Sequence, residues 1–575
     1  MESTKNVVEE EHTNPCPSAD DAAGGGHDLI SGLSDDVLVR ILGLVGDARE
    51  VVRTGALSRR WRGLWAGAPA LYFDVGGFMS PGDAERFIAV IDDVLALRAR
   101  SDSGIERVEI SFGVYHGCGE PRLAPSCVGA AERWIRYAVQ HALTSFFFEV
   151  RVTLKRWLDG FDKEDEDVGE DYDGDGDEED GEEDKVVVDE EENDGGSEED
   201  NHSSDIDNDK PEMPAIALDE LPSSARLETM RLFLGGAGVR LPNTVVFASL
   251  TDLALECMEI AADSGHLLAG LLSPASCPRL QKLRLWHLKL AAKMELLLES
   301  DVLTELSLEH MDKLTSLELR TPGLLDLVVQ ECDDLETLTV LAPKLKELAC
   351  ASDPSLVAIH GGLPCVSRLK VDLCSHGYYD DGTDDASVSL LQRCSSATSL
   401  VVFLYISSRR DLWVDLIKDK IPRLPHVTSL EIQVHPLCER HSTADGAASL
   451  LTRFSNLRYL ALQLNVWNKK GDDDSYNVCD HLDDWSPHEI SLVHLQEAEF
   501  RGLTGTDCEL RFLQRVLASA ADLQKVVVTF SARYRLEDRR DGFILALLGA
   551  AGTWTTACPD ASCQPYEYQW RPSCT

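Results

Sequence analysis

A short unit, L-x-x-L-x-L with apolar variants, recurs through the latter part of this 575-residue chain. It is written LTDLAL at 250–255, LQKLRL at 280–285, LTELSL at 303–308, LTSLEL at 314–319 and LLDLVV at 324–329. It continues as LETLTV at 335–340, LKELAC at 345–350, VSRLKV at 366–371, ATSLVV at 397–402, VTSLEI at 427–432 and LRYLAL at 457–462. Looser copies are LETMRL at 227–232, LQEAEF at 495–500 and LQKVVV at 523–528. Alternation within each unit puts its apolar side chains on one face of an extended strand. One such strand cannot bury that face alone, so successive units are expected to stack in parallel around a continuous core.

The spacing refines this expectation. Fourth positions lie 23, 30 and 23 residues apart from Met230 to Leu306, then 10 or 11 apart as far as Leu348, then 21 to 38 apart. A leucine-rich turn needs about 20–29 residues, so Leu306–Leu348 is expected to hold two full turns and part of a third, each with a strand on both faces. The wider spacings leave room for a helix at the back, as in GAASLLTRFSN at 446–456. A set of amphipathic helices fits less well, because L-x-L alternates and Pro343 and Pro364 begin turns. Upstream, ALYFDV, GIERVEISF and SFFFEVRVTL read as strands of the same array, with helices near 83–98 and 129–142 between them. The glycine-rich FLGGAGVRL at 233–241 lacks a phosphate-loop lysine and reads as a loop between strands.

The formal charge is −46. Residues 159–210 contribute −25 of it, from 28 acids and three lysines. Nothing in bulk would neutralise phosphates, so nucleic acid and anionic lipid are poor partners. Within this tract DYDGDGDEEDGE, 171–182, fits a calcium-loop pattern, with Asp171, Asp173, Asp175, Asp177 and Glu182 as oxygens and Gly176 at the turn. Its eighth position is Glu178 and neither flank has a helical apolar face, so composition explains the match. Ser197, Ser203 and Ser204 lie in acidic context as candidate phosphorylation sites. The opening MESTKNVVEEEHTNPCPSADD has no apolar core, and no run reaches a membrane span. Sixteen scattered cysteines without C-x-x-C read as reduced thiols of cytosol or nucleus. His435, Cys438 and His441 have weak metal spacing and read as a loop.

Residues 28–65 differ in character. Ser34 is a helix N-cap candidate with Asp35 and Asp36 in the first turn, followed by Val37, Leu38, Ile41, Leu42 and Leu44 at helical spacing. Asp47 and Glu50 spell a D-x-x-E capping box for a second helix with Val51, Val52 and Leu57. Ser58 would cap a third that carries Trp61, Leu64 and Trp65. Three short helices bury little among themselves, so they must cap the array or meet a partner.

This stretch resembles an F-box of the plant type. The matching letters are Asp28, Ile30, Ser31, Leu33, Asp35, Val37, Leu38, Ile41 and Leu42, then Val52, Thr54, Leu57, Ser58, Arg59, Arg60, Trp61, Leu64 and Trp65. Ser34 stands where the family usually has proline, which implies weaker adaptor binding. HLQEAEFRGLTGTDCELRFLQRVLASAADLQKVVVTF, 494–530, is similar to an FBD segment: strand, glycine turn, Glu-led helix and second strand. The resemblance implies an α/β chain: a three-helix F-box, then an irregular leucine-rich-repeat solenoid interrupted by a disordered acidic insertion. Its parts would be a disordered leader (1–27), the F-box (28–68), a first solenoid part (69–158), the insertion (159–210), leucine-rich repeats (211–490), FBD-like repeats (491–535) and a C-terminal helix and tail (536–575).

The implied function is a non-catalytic substrate receptor of an SCF-type ubiquitin ligase, with a Skp-type adaptor, and through it cullin, as partner and a protein target on the repeats. Candidate adaptor-binding residues are Leu33, Val37, Leu38, Ile41, Leu42, Val52, Leu57, Trp61, Leu64 and Trp65, with Trp61 first choice for internal core and Leu33 for contact. Arg284, Trp286, Glu305, Glu318 and Arg320 are candidate target-facing residues. No nucleotide loop, H-E-x-x-H, G-x-S-x-G or defensible carboxylate couple supports catalysis, and no cofactor is expected. The alternative of another class is an acidic scaffold or chaperone for basic proteins.

Overall fold

A computed structural model describes residues 30, 32–100, 105–116, 123–141, 143–154, 215–261, 265–351, 358–374, 376–377, 385–406, 414–415, 417, 420–436, 444–464, 489–505, 507–531, 537–548, 552–556 and 567–572. The architecture is mixed α/β, and twenty strands belong to one unclosed sheet. Three short helices come first: α1 (Asp35–Leu42), α2 (Ala48–Arg53) and α3 (Trp61–Leu64). Strand β1 (Ala70–Met79), helix α4 (Pro81–Ala99), β2 (Arg107–His116), α5 (Pro125–Gln140) and β3 (Ser145–Leu154) follow.

The leucine units set the register. In β5 (Thr229–Arg240), β6 (Asp252–Ile260), β7 (Lys282–Glu299) and β8 (Glu305–Arg320), Met230 faces Leu253, Leu253 faces Leu283 and Leu283 faces Leu306, all in parallel. The row continues through β9 (Asp326–Gln330), β11 (Glu347–Ala351) and β13 (Arg368–Cys374), pairing Leu306 with Leu327, Leu327 with Leu348 and Leu348 with Leu369. Strands β15 (Ser399–Ile406), β17 (Ser429–Pro436), β18 (Tyr459–Leu464), β19 (Glu497–Leu503) and β20 (Lys525–Phe530) extend it through Leu400, Leu430, Leu460, Ala498 and Val526. Every one of these side chains is buried, because a period of two keeps the same parity inward along each strand.

A second row runs behind the first. It holds β4 (Ala215–Ala217), the ends of β5 to β8, β10 (Thr337–Leu341) and β12 (Ala358–His360). The ten-residue spacing is why: Leu317 pairs with Leu338 in this row, while Leu306 pairs with Leu327 in the other. Elsewhere helices take the back, including α6 (Gly265–Leu271), α7 (Asp385–Arg393), α8 (Ala444–Leu451) and α9 (Asp507–Ala518). Across the acidic tract the ladder closes directly, Ser145–Glu149 pairing with Thr229–Phe233. A small separate pair joins β14 (His376–Gly377) to β16 (Val414–Asp415).

Two features depart from the sequence reading. The glycines of 233–241 do not make a loop. They lie inside β5, where Gly235 (φ +55) and Gly236 (φ +80) form an irregularity between Phe233 and Ala237. A Cβ on Gly235 would stand 2.7 Å from the Val150 carbonyl oxygen, so the close approach requires glycine. After α10 (Glu537–Leu548), β21 (Gly552–Thr556) and β22 (Glu567–Pro572) form an antiparallel pair, and β22 lies antiparallel on β20. Trp570 is buried there. No helix among the described residues is long and apolar enough to cross a membrane.

Candidate functional site

Polar contacts sit at the ends of the three N-terminal helices, and one set ties α1 to α3. Ser34 occupies the N-cap of α1 with φ −69 and ψ 157, but its hydroxyl makes no capping bond. Arg60 does the fastening instead. Its Nε donates to Asp35 Oδ1 at 2.7 Å and its Nη2 to the Leu33 carbonyl at 2.5 Å, joining the start of α1 to that of α3. Asp47 caps α2 by accepting from the Arg49 N–H at 2.8 Å. The expected D-x-x-E box is not closed, because Glu50 accepts from Arg53 at 2.5 Å on the exposed face. Ser58 Oγ accepts from the Trp61 N–H at 3.4 Å.

Two stripes of α1, one residue out of step, meet different surroundings. Leu38 and Leu42 are buried, and Val45 packs behind Leu42. Leu42, Val51 and Ala68 make a small core with Trp61, Leu64 and Trp65 against it. Ala48 belongs to the main core, and Val52 and Trp65 rest on it, so the helices are seated on the start of the sheet. Val37, Ile41 and Leu57 stay exposed at 43%, 41% and 69%. Leu33, Val52, Trp61, Leu64 and Trp65 are half-buried.

The structure therefore divides the ten candidates: Leu38 and Leu42 hold the helices, while Val37, Ile41 and Leu57 face outward. Ile30 and Leu44, exposed at 55% and 83%, belong with the outward group. Their signal was present in the sequence, since Leu44 follows Ile41 by three residues. Residues 32–68 also hold six arginines against four carboxylates in a strongly acidic chain.

The target-facing candidates separate. Arg284 and Trp286 lie on the first strand row, where Arg284 reaches Glu256 at 3.5 Å and Glu309 at 3.6 Å. Glu305, in the same row, takes Lys282 at 2.7 Å. Glu318 and Arg320 are in the second row and pair with each other at 2.8 Å, so they do not join the others. His435 is half-buried beside Phe403 and Tyr405 at 5.8 and 5.3 Å, and burial pulls its pKa down. Cys438 and His441, the loop at 171–182 and the serines at 197, 203 and 204 lie outside the described residues. Among the described residues no group of three or more His, Cys, Asp or Glu could hold a metal. Burial pushes the Cys277, Cys332 and Cys394 thiols up to about 12, away from reactivity.

No family model matches the chain. An FBD-associated F-box protein of Arabidopsis thaliana is 32% identical over 124 residues, 21% of this chain and 27% of the relative. An F-box/FBD/LRR-repeat protein of the same plant is 48% identical over 60 residues, 10% of this chain and 13% of the relative. The meiotic F-box protein MOF of Oryza sativa subsp. japonica is 46% identical over 63 residues, 10% and 13% of the two chains. The chain spans about a quarter of the length of the curated relatives it matches. Over these partial regions the chain is a homologue of plant F-box proteins, some of them of the leucine-rich-repeat and FBD kinds.

Proposed function

We propose that this chain is a substrate-recognition subunit of an SCF-type ubiquitin ligase. In this reading α1–α3 are a three-helix F-box that docks on a Skp-type adaptor, and the stacked strands are a leucine-rich solenoid that presents a target protein. The supporting observation is the outward stripe Val37, Ile41 and Leu44, left uncovered while Leu38 and Leu42 are buried, with Leu57 and Ile30 also exposed. Each such side chain buried on docking contributes about 1.5–3 kcal/mol at most. The local excess of arginine favours an acidic adaptor surface. The chain would then hold no reaction of its own.

Removing 28–65 outright would strip Ala48, Val52 and Trp65 from the main core. The sharper test is Val37→Asp with Ile41→Asp in the full chain, co-expressed with a Skp-type adaptor. Co-purification should fall at least tenfold while the thermal midpoint stays within about 3 °C of the parent. Undiminished capture of the adaptor by the double variant would refute the proposal.

A further inference from the structure

A stacked aromatic pair stands on the side of the first strand row that points away from the leucine core. Phe233 and Trp286 have ring centroids 5.9 Å apart and planes 30° from parallel. His310 meets Trp286 edge-on at 6.0 Å, and His287 lies 5.6 Å from His310. The register creates the group, because Phe233 faces Glu256, Glu256 faces Trp286 and Trp286 faces Glu309 on successive strands. The half-buried indole is thus bordered on both neighbouring strands by carboxylates.

Glu309 accepts from the Ser307 hydroxyl at 2.5 Å, but the cation these carboxylates share is held loosely. Arg284 is shared between Glu256 and Glu309 at 3.5 and 3.6 Å, both longer than a tight charged hydrogen bond. Glu331 adds a further negative charge beside His310, at 2.9 Å from its Nδ1. An aromatic face edged with carboxylates suits a cation that lies over the ring while donating to the acids. The backbone here is also unusual: His287 and His310 hold φ of 55° and 54°, flanked by Cys257 and Glu331 at 50° each. Gly502 follows Arg501 at a comparable bend with φ +76. These positive φ values fall at one equivalent ladder position, where the chain bends from the first row to the second, so the corner of the fold places the imidazoles beside Trp286.

We propose that this face is a docking site for a basic segment of a target protein, with an arginine or lysine side chain seated on Trp286 and paired with Glu256 and Glu309. Charge complementarity selects the occupant, since Glu256 and Glu309 edge the indole and Glu331 stands beside His310, with Arg284 shared between the first two. The inference rests on reading the strands as the target-binding part of a receptor, and it names the chemistry of what they receive.

The test uses the full chain and a fluorescein-labelled, arginine-bearing peptide in a glycine–serine background, followed by anisotropy at about 0.15 M salt. The glutamine counterpart of the peptide should not bind. Trp286→Ala should weaken binding about tenfold, and Trp286→Phe should restore part of it. The Glu256→Gln, Glu309→Gln double variant, which keeps side-chain shape, should weaken it comparably and decides the matter if Trp286→Ala fails to fold. Affinity unchanged in these variants, with binding abolished by raised salt, would assign the peptide to the acidic tract at 159–210 and overturn the proposal. Adaptor capture is scored separately with the Val37 and Ile41 variant, so loss of peptide binding with adaptor capture intact removes only the proposed site.

Discussion

At the residue scale, α1 separates structural from available apolar groups. The run VLVRIL carries two apolar stripes a single position apart, and helical periodicity alone cannot say which one turns inward. Packing against α3 and the turn that follows it decides it, burying Leu38 and leaving Val37. Leu38→Ala should therefore cost about 2–4 kcal/mol in urea denaturation, whereas Val37→Ala should stay within about 0.5 kcal/mol. Asp372 offers a different check. Its Oδ1 is buried without a hydrogen-bond partner among the described residues. Burial pushes its pKa to about 7, with Lys370 opposing and Glu331 adding to the rise. A raised carboxyl binds its proton more tightly in the folded chain, so its stabilising contribution is full below about pH 4 and disappears as pH rises through about 7. Asp372→Asn should leave stability near pH 4 little changed and raise it at pH 8 by about 1 kcal/mol, read as the shift in urea midpoint relative to the parent.

At the scale of elements, the strands were legible because each unit writes its inward positions in leucine. The fourth residue of every first-row unit found its neighbour in the ladder, including across widely different loop lengths. What the letters did not show were places where geometry departs from that alternation. Non-glycine residues in the left-handed region, each costing about 1 kcal/mol, carry no sequence mark. The final antiparallel strands, GTWTT and EYQWRP, have no leucine unit to announce them. The candidate docking stripe was half legible: its residue types were identifiable, its orientation was not. Gly361 is a further check of the two-row arrangement, since it follows β12 with φ +107 and a Cβ there would collide with the Val340 carbonyl oxygen. Gly361→Ala should destabilise the chain by at least about 2 kcal/mol by chemical denaturation, because the second row must shift to admit it.

At the scale of the whole molecule, the sheet is a succession of neighbours. β3 meets β5 without using residues 155–214, so excising 162–207 should leave a cooperative unfolding transition with a midpoint within about 3 °C of the parent. A large fall would show that the tract takes part in the fold. The two rows also have a mechanical meaning. Parallel strands repeat about every 4.8 Å, whereas packed helices need roughly 8–10 Å. Where helices back the strands, near β1–β3 and again from β13 onward, the rear is wider than the front and successive layers must fan. Between β4 and β12 strand lies behind strand, front and rear advance by the same step, and nothing forces a bend. A long partner lying along the strands would meet its least curved footing in that stretch, which carries Trp286.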